Sequence, residues 1–426
     1  MKHFFLSVAF LLSVTLFAQT TDEIYSAKLD AKRQITVKLP ASYEANPEKK
    51  YPMILVLDSE FLFAPFQGNI AYGNYWDDIP EVILVGISQN KNNERYDDSE
   101  FNPATGLPAN KGGAFFEFIG SELLPYLDQK YRVAPFRVIA GLDSTAGLLN
   151  AFLYKDLPIF NGYISMSPEL APGMEDRLPQ RLTTIKEPIY YYQATADGDL
   201  KKFQKQIKAL DQKMILVKNP LLNYKFDDFK AASHYSLVLH AIPSALKQIF
   251  AVYEPISSIE YQEKIAPLKE GYVDYLNKKY ETIEKSLGIK MNVRLNDFKA
   301  IEAAIEKNKA YNEYEQLAQI SGQQYEKTMM YDYHMGMYWE KRGEAKKAVK
   351  FYQNAFMKEP IGVLTKDMMM NKAEDLKKLL PKKGLKGGEA KEKATEEVPA
   401  DIPTTDAPTE TPTETPAETP KEEPKQ

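Results

Sequence analysis

The 426-residue chain contains no cysteine and only 4 histidines. Without cysteine it cannot form disulfides, so packed apolar side chains have to stabilise the fold. The scarcity of histidine and the lack of cysteine leave no spacing typical of a zinc site, and we expect neither a metal nor another cofactor. The net charge of -5, with no stripe of Lys and Arg, argues against nucleic acid as a partner.

Long apolar runs are also missing, except at the N-terminus. The first twenty residues read MKHFFLSVAFLLSVTLFAQT, with a basic start, an apolar run and a small residue, Ala18, near the end. The run is shorter than the roughly 20 residues that a membrane-spanning helix needs. The pattern predicts a signal peptide over residues 1–20. We therefore expect a periplasmic or secreted protein with no membrane insertion after signal removal.

Residues 21–253 alternate between strand and helix patterns. The segments YPMILVLD, EVILVGIS and FRVIAGL are continuous apolar runs, typical of strands covered on both faces, and QITVKLP, FNGYISMSP and EPIYYYQATADG predict further strands. Helix-length segments separate most of them. This alternation predicts an α/β fold with a mostly parallel sheet between helices, and places a ligand site beyond the carboxyl ends of the strands.

Residues 254–378 have helical periodicity throughout and predict a smaller all-α domain built from helical hairpins. Within it, residues 329–362 place Gly336, Trp339, Gly343, Tyr352 and Pro360 at the offsets of a tetratricopeptide unit. An ordinary helical hairpin explains the same segment, so binding of a protein partner by this region stays one of two interpretations. Residues 379–426 are rich in Pro, Thr and Glu and predict a disordered tail.

The segments of residues 35–253 resemble, in order, the esterase family of α/β hydrolases that includes the esterase D type, feruloyl esterases and siderophore esterases. The resemblance rests on YPMILVLDSEFLF, IPEVILVGISQN, RVIAGLDSTAG, FNGYISMSPEL and ASHYSLVLHAIPSALKQIF. It implies an α/β-hydrolase fold, a Ser–acid–His triad and a small ester ligand. The triad serine of the family aligns with Asp143, the histidine with His234, and the acid with Asp197 or, as second choice, Asp199. The resemblance also implies oxyanion-hole donors from Ser144 and from the loop at Ser59 and Glu60.

Asp143 at this position changes the chemistry that the predicted site can perform. A nucleophile elbow reads G-x-S-x-G, whereas this one reads GLDSTAG, with the only nearby serine, Ser144, one position late. A carboxylate is a weak nucleophile toward an ester carbonyl, but it can attack a saturated carbon that bears a halide or an epoxide.

Three interpretations of the elbow remain open. Ser144 could replace the missing serine after a local rearrangement. Asp143 could act as a nucleophile together with His234 and Asp197. Alternatively, Asp143 or Ser144 could simply cap the following helix, since both residue types accept hydrogen bonds from its first turn. The sequence thus favours an esterase-family protein that is weakly active or acts as a binding protein, with an active hydrolase as the alternative.

Overall fold

The computed structural model describes residues 19–380. Residues 1–18 of the predicted signal peptide and the predicted tail from residue 381 lie outside the described residues. Contacts divide the chain into two units. Within the described part, the first unit comprises residues 19–255 and 274–297, and the second comprises residues 256–273 and 298–380.

The first unit is built on one eight-stranded sheet with the order β1-β2-β4-β3-β5-β6-β7-β8. Strand β2 runs antiparallel to both of its neighbours, and the other pairings are parallel. The strands are β1 (Thr20–Ser26), β2 (Ala31–Lys38), β3 (Tyr51–Val56), β4 (Ile83–Ile87), β5 (Val133–Leu142), β6 (Gly162–Met166), β7 (Ile189–Gly198) and β8 (Leu222–Ser233).

Helices cover both faces of this sheet. They are α1 (Ser59–Tyr75), α2 (Glu94–Asp98), α3 (Asn110–Phe118), α4 (Leu124–Lys130), α5 (Ser144–Leu149), α6 (Met174–Leu182), α7 (Lys201–Met214) and α8 (Leu237–Ile249). Strand β3 explains why apolar runs predict such a sheet. Its Met53 and Leu55 lie in one hydrophobic core and its Ile54 and Val56 in the other, because successive side chains of a strand point to opposite faces.

The second unit is helical. It contains α9 (Ser258–Glu260), α12 (Glu313–Gln324), α13 (Met330–Lys341), α14 (Ala345–Phe356) and α15 (Lys366–Leu379), while α10 (Tyr272–Leu287) and α11 (Leu295–Asn308) include the points at which the chain changes unit. A Cβ atom on Gly336 would lie 2.4 Å from the ring of Tyr352, so α13 and α14 pack closely there. None of the helices within residues 19–380 is long and apolar enough to cross a membrane.

The predicted class is confirmed: an α/β sheet flanked by helices, followed by a helical region. All six strands predicted from the sequence are present, but β1 and β8 were not predicted. These two are the edges of the sheet. Edge strands are exposed along one side and lack a continuous apolar run. The predicted domain limits, and the assignment of residues 329–362 as a tetratricopeptide unit, stay predictions.

Candidate active site at the nucleophile elbow

Asp143 lies at a sharp turn between β5 and α5. Its backbone has φ 62° and ψ −119°, a conformation that residues other than glycine seldom adopt. Hydrogen bonds of 3.0 Å hold the turn on both sides: Asp143 N donates to Met166 O, and Asp143 O accepts from Gly147 N and Glu169 N. This strand–turn–helix geometry is that of a nucleophile elbow. Asp143 therefore occupies the sharp turn between β5 and α5, and its role as the counterpart of the family's nucleophile stays a prediction.

Small residues make this turn sterically feasible. A Cβ atom on Gly141 would lie 2.9 Å from the Thr145 carbonyl carbon, and one on Gly147 would lie 2.0 Å from Glu169 O. Both distances are shorter than a real Cβ contact, so neither glycine tolerates a side chain without movement of the backbone. Gly141 is also the elbow glycine that the sequence retains.

The side chain of Asp143 is not used to cap its helix. It makes no capping hydrogen bond to α5. Its Oδ1 atom is buried without a hydrogen-bond partner, and its Oδ2 atom lies 3.6 Å from a terminal nitrogen of Arg95. Helix capping therefore does not explain the carboxylate at this position.

Ser144 follows as the first residue of α5. The residue is only 9% exposed, and its hydroxyl has no hydrogen-bond partner. The hydroxyl is thus not bonded to His234, which a serine nucleophile would need as its base. The geometry gives no support to Ser144 as a replacement for the family's serine.

His234 lies directly after β8 and is paired with Asp199. Its Nδ1 atom is 2.9 Å from Asp199 Oδ1 and 3.4 Å from the hydroxyl of Ser167. Asp199 is 4% exposed and also accepts hydrogen bonds from the Thr195 hydroxyl at 2.7 Å and from Ala196 N at 2.9 Å. With Nδ1 directed at Asp199, Nε2 is the ring nitrogen left for a ligand or a water molecule.

The contact between His234 and Asp199 shifts the pKa of both side chains. The hydrogen bond that His234 donates to Asp199 raises the pKa of His234 against the opposing effect of burial, and the charges of Asp199 and Asp143 act in the same direction as the hydrogen bond. Burial alone would raise the pKa of Asp199, but the hydrogen bonds from His234, Thr195 and Ala196 outweigh it and lower this pKa. The pair is therefore stabilised in its charged form.

Asp197, the first choice for the acid, does not make this contact. Its side chain is 51% exposed, lies 3.4 Å from Lys230 Nζ and accepts a hydrogen bond of 3.2 Å from Ala231 N. The pairing of β7 with β8 shifts register between Ala196 and Gly198. Asp197 is therefore held at Lys230 and Ala231, and the second choice, Asp199, is the one that reaches His234.

A buried polar network beside the elbow was not predicted from the sequence. Arg95 on α2 donates from Nε to Asp58 Oδ1 at 2.8 Å and from a terminal nitrogen to Leu142 O at 2.7 Å. The Thr145 hydroxyl, in the place of an elbow glycine, lies 2.6 Å from Asp58 Oδ2. Burial raises the pKa of Asp58, and Arg95 and Thr145 oppose that effect. A local sequence motif could not have indicated the contact between Arg95 and Asp58, because 37 residues separate them along the chain.

The predicted oxyanion-hole residues lie where β3 passes into α1 and where α5 begins. Ser59 is the first residue of α1, after Asp58 in a left-handed conformation with φ 54°. The carboxylate of Glu60 accepts hydrogen bonds from Gln89 N and Asn90 N, both at 3.0 Å, and so holds the loop after β4. Donation to an oxyanion by Ser59, Glu60 and Ser144 stays a prediction. Within residues 19–380, no group of three or more His, Asp or Glu side chains could hold a metal ion.

Comparisons with known proteins agree with this architecture. The model of the family described as "Putative esterase" matches residues 26–238. An uncharacterised protein from Capnocytophaga ochracea is similar over 85% of this chain and 100% of its own, with 29% identity and a TM-score of 0.77.

A second solved structure, an IroE-like serine hydrolase from Shewanella oneidensis, is similar over 71% of this chain and 98% of its own, with 18% identity and a TM-score of 0.54. At that identity the likeness shows the fold alone. No curated protein sequence matches the chain. The family match covers half of the chain and includes both the elbow and His234, and it shows that the chain belongs to the esterase family of α/β hydrolases.

Proposed function

We propose that this esterase-family protein does not hydrolyse esters through a serine, and that it binds a small ligand at the Asp143 elbow. The observation that carries the proposal is the combination of Asp143 in the elbow conformation with a Ser144 hydroxyl that is buried and unpartnered. Within residues 19–380, the Ser144 hydroxyl makes no hydrogen bond to His234, and Ser167 lies beside Nδ1, the ring nitrogen already paired with Asp199. Attack of Asp143 on an ester carbonyl would form an anhydride, which is an unfavourable intermediate.

The geometry at Asp143 and His234 supports binding of a ligand rather than loss of the site to ordinary hydrophobic packing. A strained backbone conformation costs about 1–3 kcal/mol and persists only where the surroundings impose it. The elbow keeps that conformation, and His234 keeps Asp199 as its partner. Next to the elbow, Leu142 is buried in a hydrophobic core, and Phe61 on α1 is 42% exposed.

The test is hydrolysis of 4-nitrophenyl acetate by the purified chain from residue 21 onward. We expect the native protein to be no faster than His234→Ala. Asp143→Ser restores the family's nucleophile, and we expect it to gain activity that His234→Ala removes in the double variant. Native turnover that depends on His234 would overturn the proposal, and an inactive but folded Asp143→Ser would show that more than the nucleophile has been lost.

A second candidate function is hydrolysis at a saturated carbon. The observations that favour it are the unpartnered Oδ1 of Asp143 and the His234–Asp199 pair. The carboxylate would displace a halide or open an epoxide to form an alkyl ester. A water molecule activated by His234 would then attack the carboxyl carbon of Asp143 and release the alcohol. Arg95 argues against it, because a guanidinium 3.6 Å from Oδ2 holds the negative charge that the attack requires.

This candidate has its own test, because the alkyl ester adds the mass of the ligand to Asp143. Mass spectrometry after incubation of His234→Ala with a haloalkane or an epoxide would detect the trapped ester. Asp143→Asn is the control that cannot form it.

We also propose that the chain is exported, on the basis of its first 20 residues. Sequencing the N-terminus of the protein from the cell envelope or the medium tests this. A start near residue 20 supports export, and an intact Met1 in the cytoplasm contradicts it. Binding of a protein partner by the helical region stays a prediction.

A further inference from the structure

Two consecutive residues at the elbow have buried polar atoms without partners. They are Oδ1 of Asp143 and the hydroxyl oxygen of Ser144, and Ser144 as a residue is only 9% exposed. Buried polar atoms in folded proteins are nearly always hydrogen-bonded, and an unpaired one is costly. A carboxylate oxygen can only accept a hydrogen bond, and a hydroxyl oxygen can also accept one. The missing partner is therefore a donor.

The charges near the elbow favour a cationic donor. Arg95 makes its short hydrogen bonds to Asp58 and to Leu142 O, and lies farther from Asp143, at 3.6 Å. The carboxylate of Asp199 accepts hydrogen bonds from His234, Thr195 and Ala196. Asp143 interacts with the charges of Arg95 and His234, but unlike Asp58 and Asp199 it accepts no short hydrogen bond from a side chain, so a charged N–H donor beside its Oδ1 atom is stabilised.

Exposed aromatic rings flank these charged groups. Phe61 and Tyr96 are 42% and 65% exposed, and their ring centroids each lie 5.9 Å from the guanidinium carbon of Arg95. Tyr235 is 82% exposed, with its ring centroid 5.3 Å from that of His234. Aromatic rings bury the apolar part of a ligand and attract cations to their faces.

We propose that the elbow binds a small organic ammonium ion whose N–H groups donate to Asp143 Oδ1 and Ser144 Oγ. Its apolar part packs against Phe61, Tyr96 or Tyr235. The inference rests on the proposed function, because a carboxylate that forms a lasting ion pair with its ligand is not acting as a nucleophile. It specifies that function by naming the chemical class of the ligand.

The test is calorimetric titration at neutral pH with three probes of similar shape: 2-phenylethylamine, 2-phenylethanol and phenylacetate. We expect the amine to bind roughly tenfold or more tightly than the alcohol, since hydrogen bonds to charged groups are stronger than those between neutral groups. We expect the anion to bind most weakly. Asp143→Asn should reduce the affinity for the amine to that for the alcohol, and Ser144→Ala should weaken binding of the amine with less effect on the alcohol.

The matched control is Asp176→Asn, which removes an exposed carboxylate paired with Lys213 and should leave the amine affinity unchanged. Thermal unfolding of each variant confirms that it is folded, and Ser144→Ala provides a second variant if Asp143→Asn fails to fold. Equal affinity for amine and alcohol, which is the result if water alone fills the elbow, would overturn the inference. Tightest binding of phenylacetate, or a native affinity in Asp143→Asn, would overturn it as well.

The outcomes separate this inference from the function on which it rests. Turnover of 4-nitrophenyl acetate that depends on His234 would contradict the proposed function, whatever the order of affinities. Lack of turnover together with lack of preference for the amine would contradict only the ammonium site.

Discussion

Two histidines in the described part of the chain each contact a carboxylate and a hydroxyl, one histidine in each unit. In the first unit, His234 pairs with Asp199 at 2.9 Å and lies 3.4 Å from the hydroxyl of Ser167. In the helical unit, His334 lies 2.9 Å from the hydroxyl of Ser321 and 2.9 Å from Glu302 Oε1. By residue type alone, the second set resembles a triad as well as the first.

The difference between them lies in access and backbone geometry. His334 is fully buried, with its ring stacked on those of Phe298 and Tyr314. His234 is partly exposed and follows the carboxyl end of a strand, where ligands bind in open α/β sheets. A constellation of Ser, His and acid is therefore a functional site only where a ligand can reach it. In a helical core, the same groups satisfy one another and hold helices together.

The largest expected effect concerns the acid that supports His234. In the Asp143→Ser background, we expect Asp199→Asn to lower kcat/KM about 10²- to 10⁴-fold, because the imidazole loses the group that orients it and stabilises its charge. Asp197→Asn should stay within about twofold in the same assay. The reverse order would show that Asp197, and not Asp199, supports His234 in the reaction.

The next effect concerns stability. His334→Ala leaves Ser321 and Glu302 without their partner inside the helical unit, and we expect it to lower the free energy of unfolding by about 3 kcal/mol. His234→Ala, at a partly exposed site, should cost less than about 1 kcal/mol. Urea unfolding followed by circular dichroism measures both. Equal losses of unfolding free energy in the two variants would contradict the distinction between a structural His334 and a functional His234.

Two glycines, one in each unit, differ in what an added methyl group would contact. A methyl group at Gly147 would meet a backbone oxygen, Glu169 O, at 2.0 Å, whereas one at Gly336 would meet the side-chain ring of Tyr352 at 2.4 Å. Overpacking costs about 1–3 kcal/mol. We expect Gly147→Ala near the upper end and Gly336→Ala near the lower end, since a ring can move more easily than a backbone. Thermal unfolding of the two variants, with Gly68→Ala as a control in open space, checks the order.

The smallest effect is a change in ionisation. The pKa of His234 should lie above its ordinary value of 6.5, and Asp199→Asn should bring it down. Because the folded-state pKa is raised, the contribution of this pair to stability is complete below the unfolded-state pKa. It is lost as the pH rises through the folded-state value. Titration of the histidine resonances by NMR measures the shift, and a His234 pKa at or below 6.5 would contradict the pairing.

Several features were predictable from the sequence because they depend on local patterns. The strands β3, β4 and β5 are continuous apolar runs, and His234 was found through the family's order of motifs. The edge strands β1 and β8 were missed, since their half-exposed faces mix polar and apolar residues. Those strands become recognisable only through their pairing with neighbours.

By itself, the sequence determined the sheet and its helices and the helical region, and it led to the prediction that Asp143 stands where the family has its serine. These follow from the period and order of residues along the chain. Tertiary structure alone decided that Asp199 supports His234, and that Arg95 and Asp58 lie together beside Asp143. Hydrogen bonds of about 3 Å depend on strand register and loop path, which bring together residues far apart in the chain. Such contacts therefore cannot be predicted from a local sequence pattern.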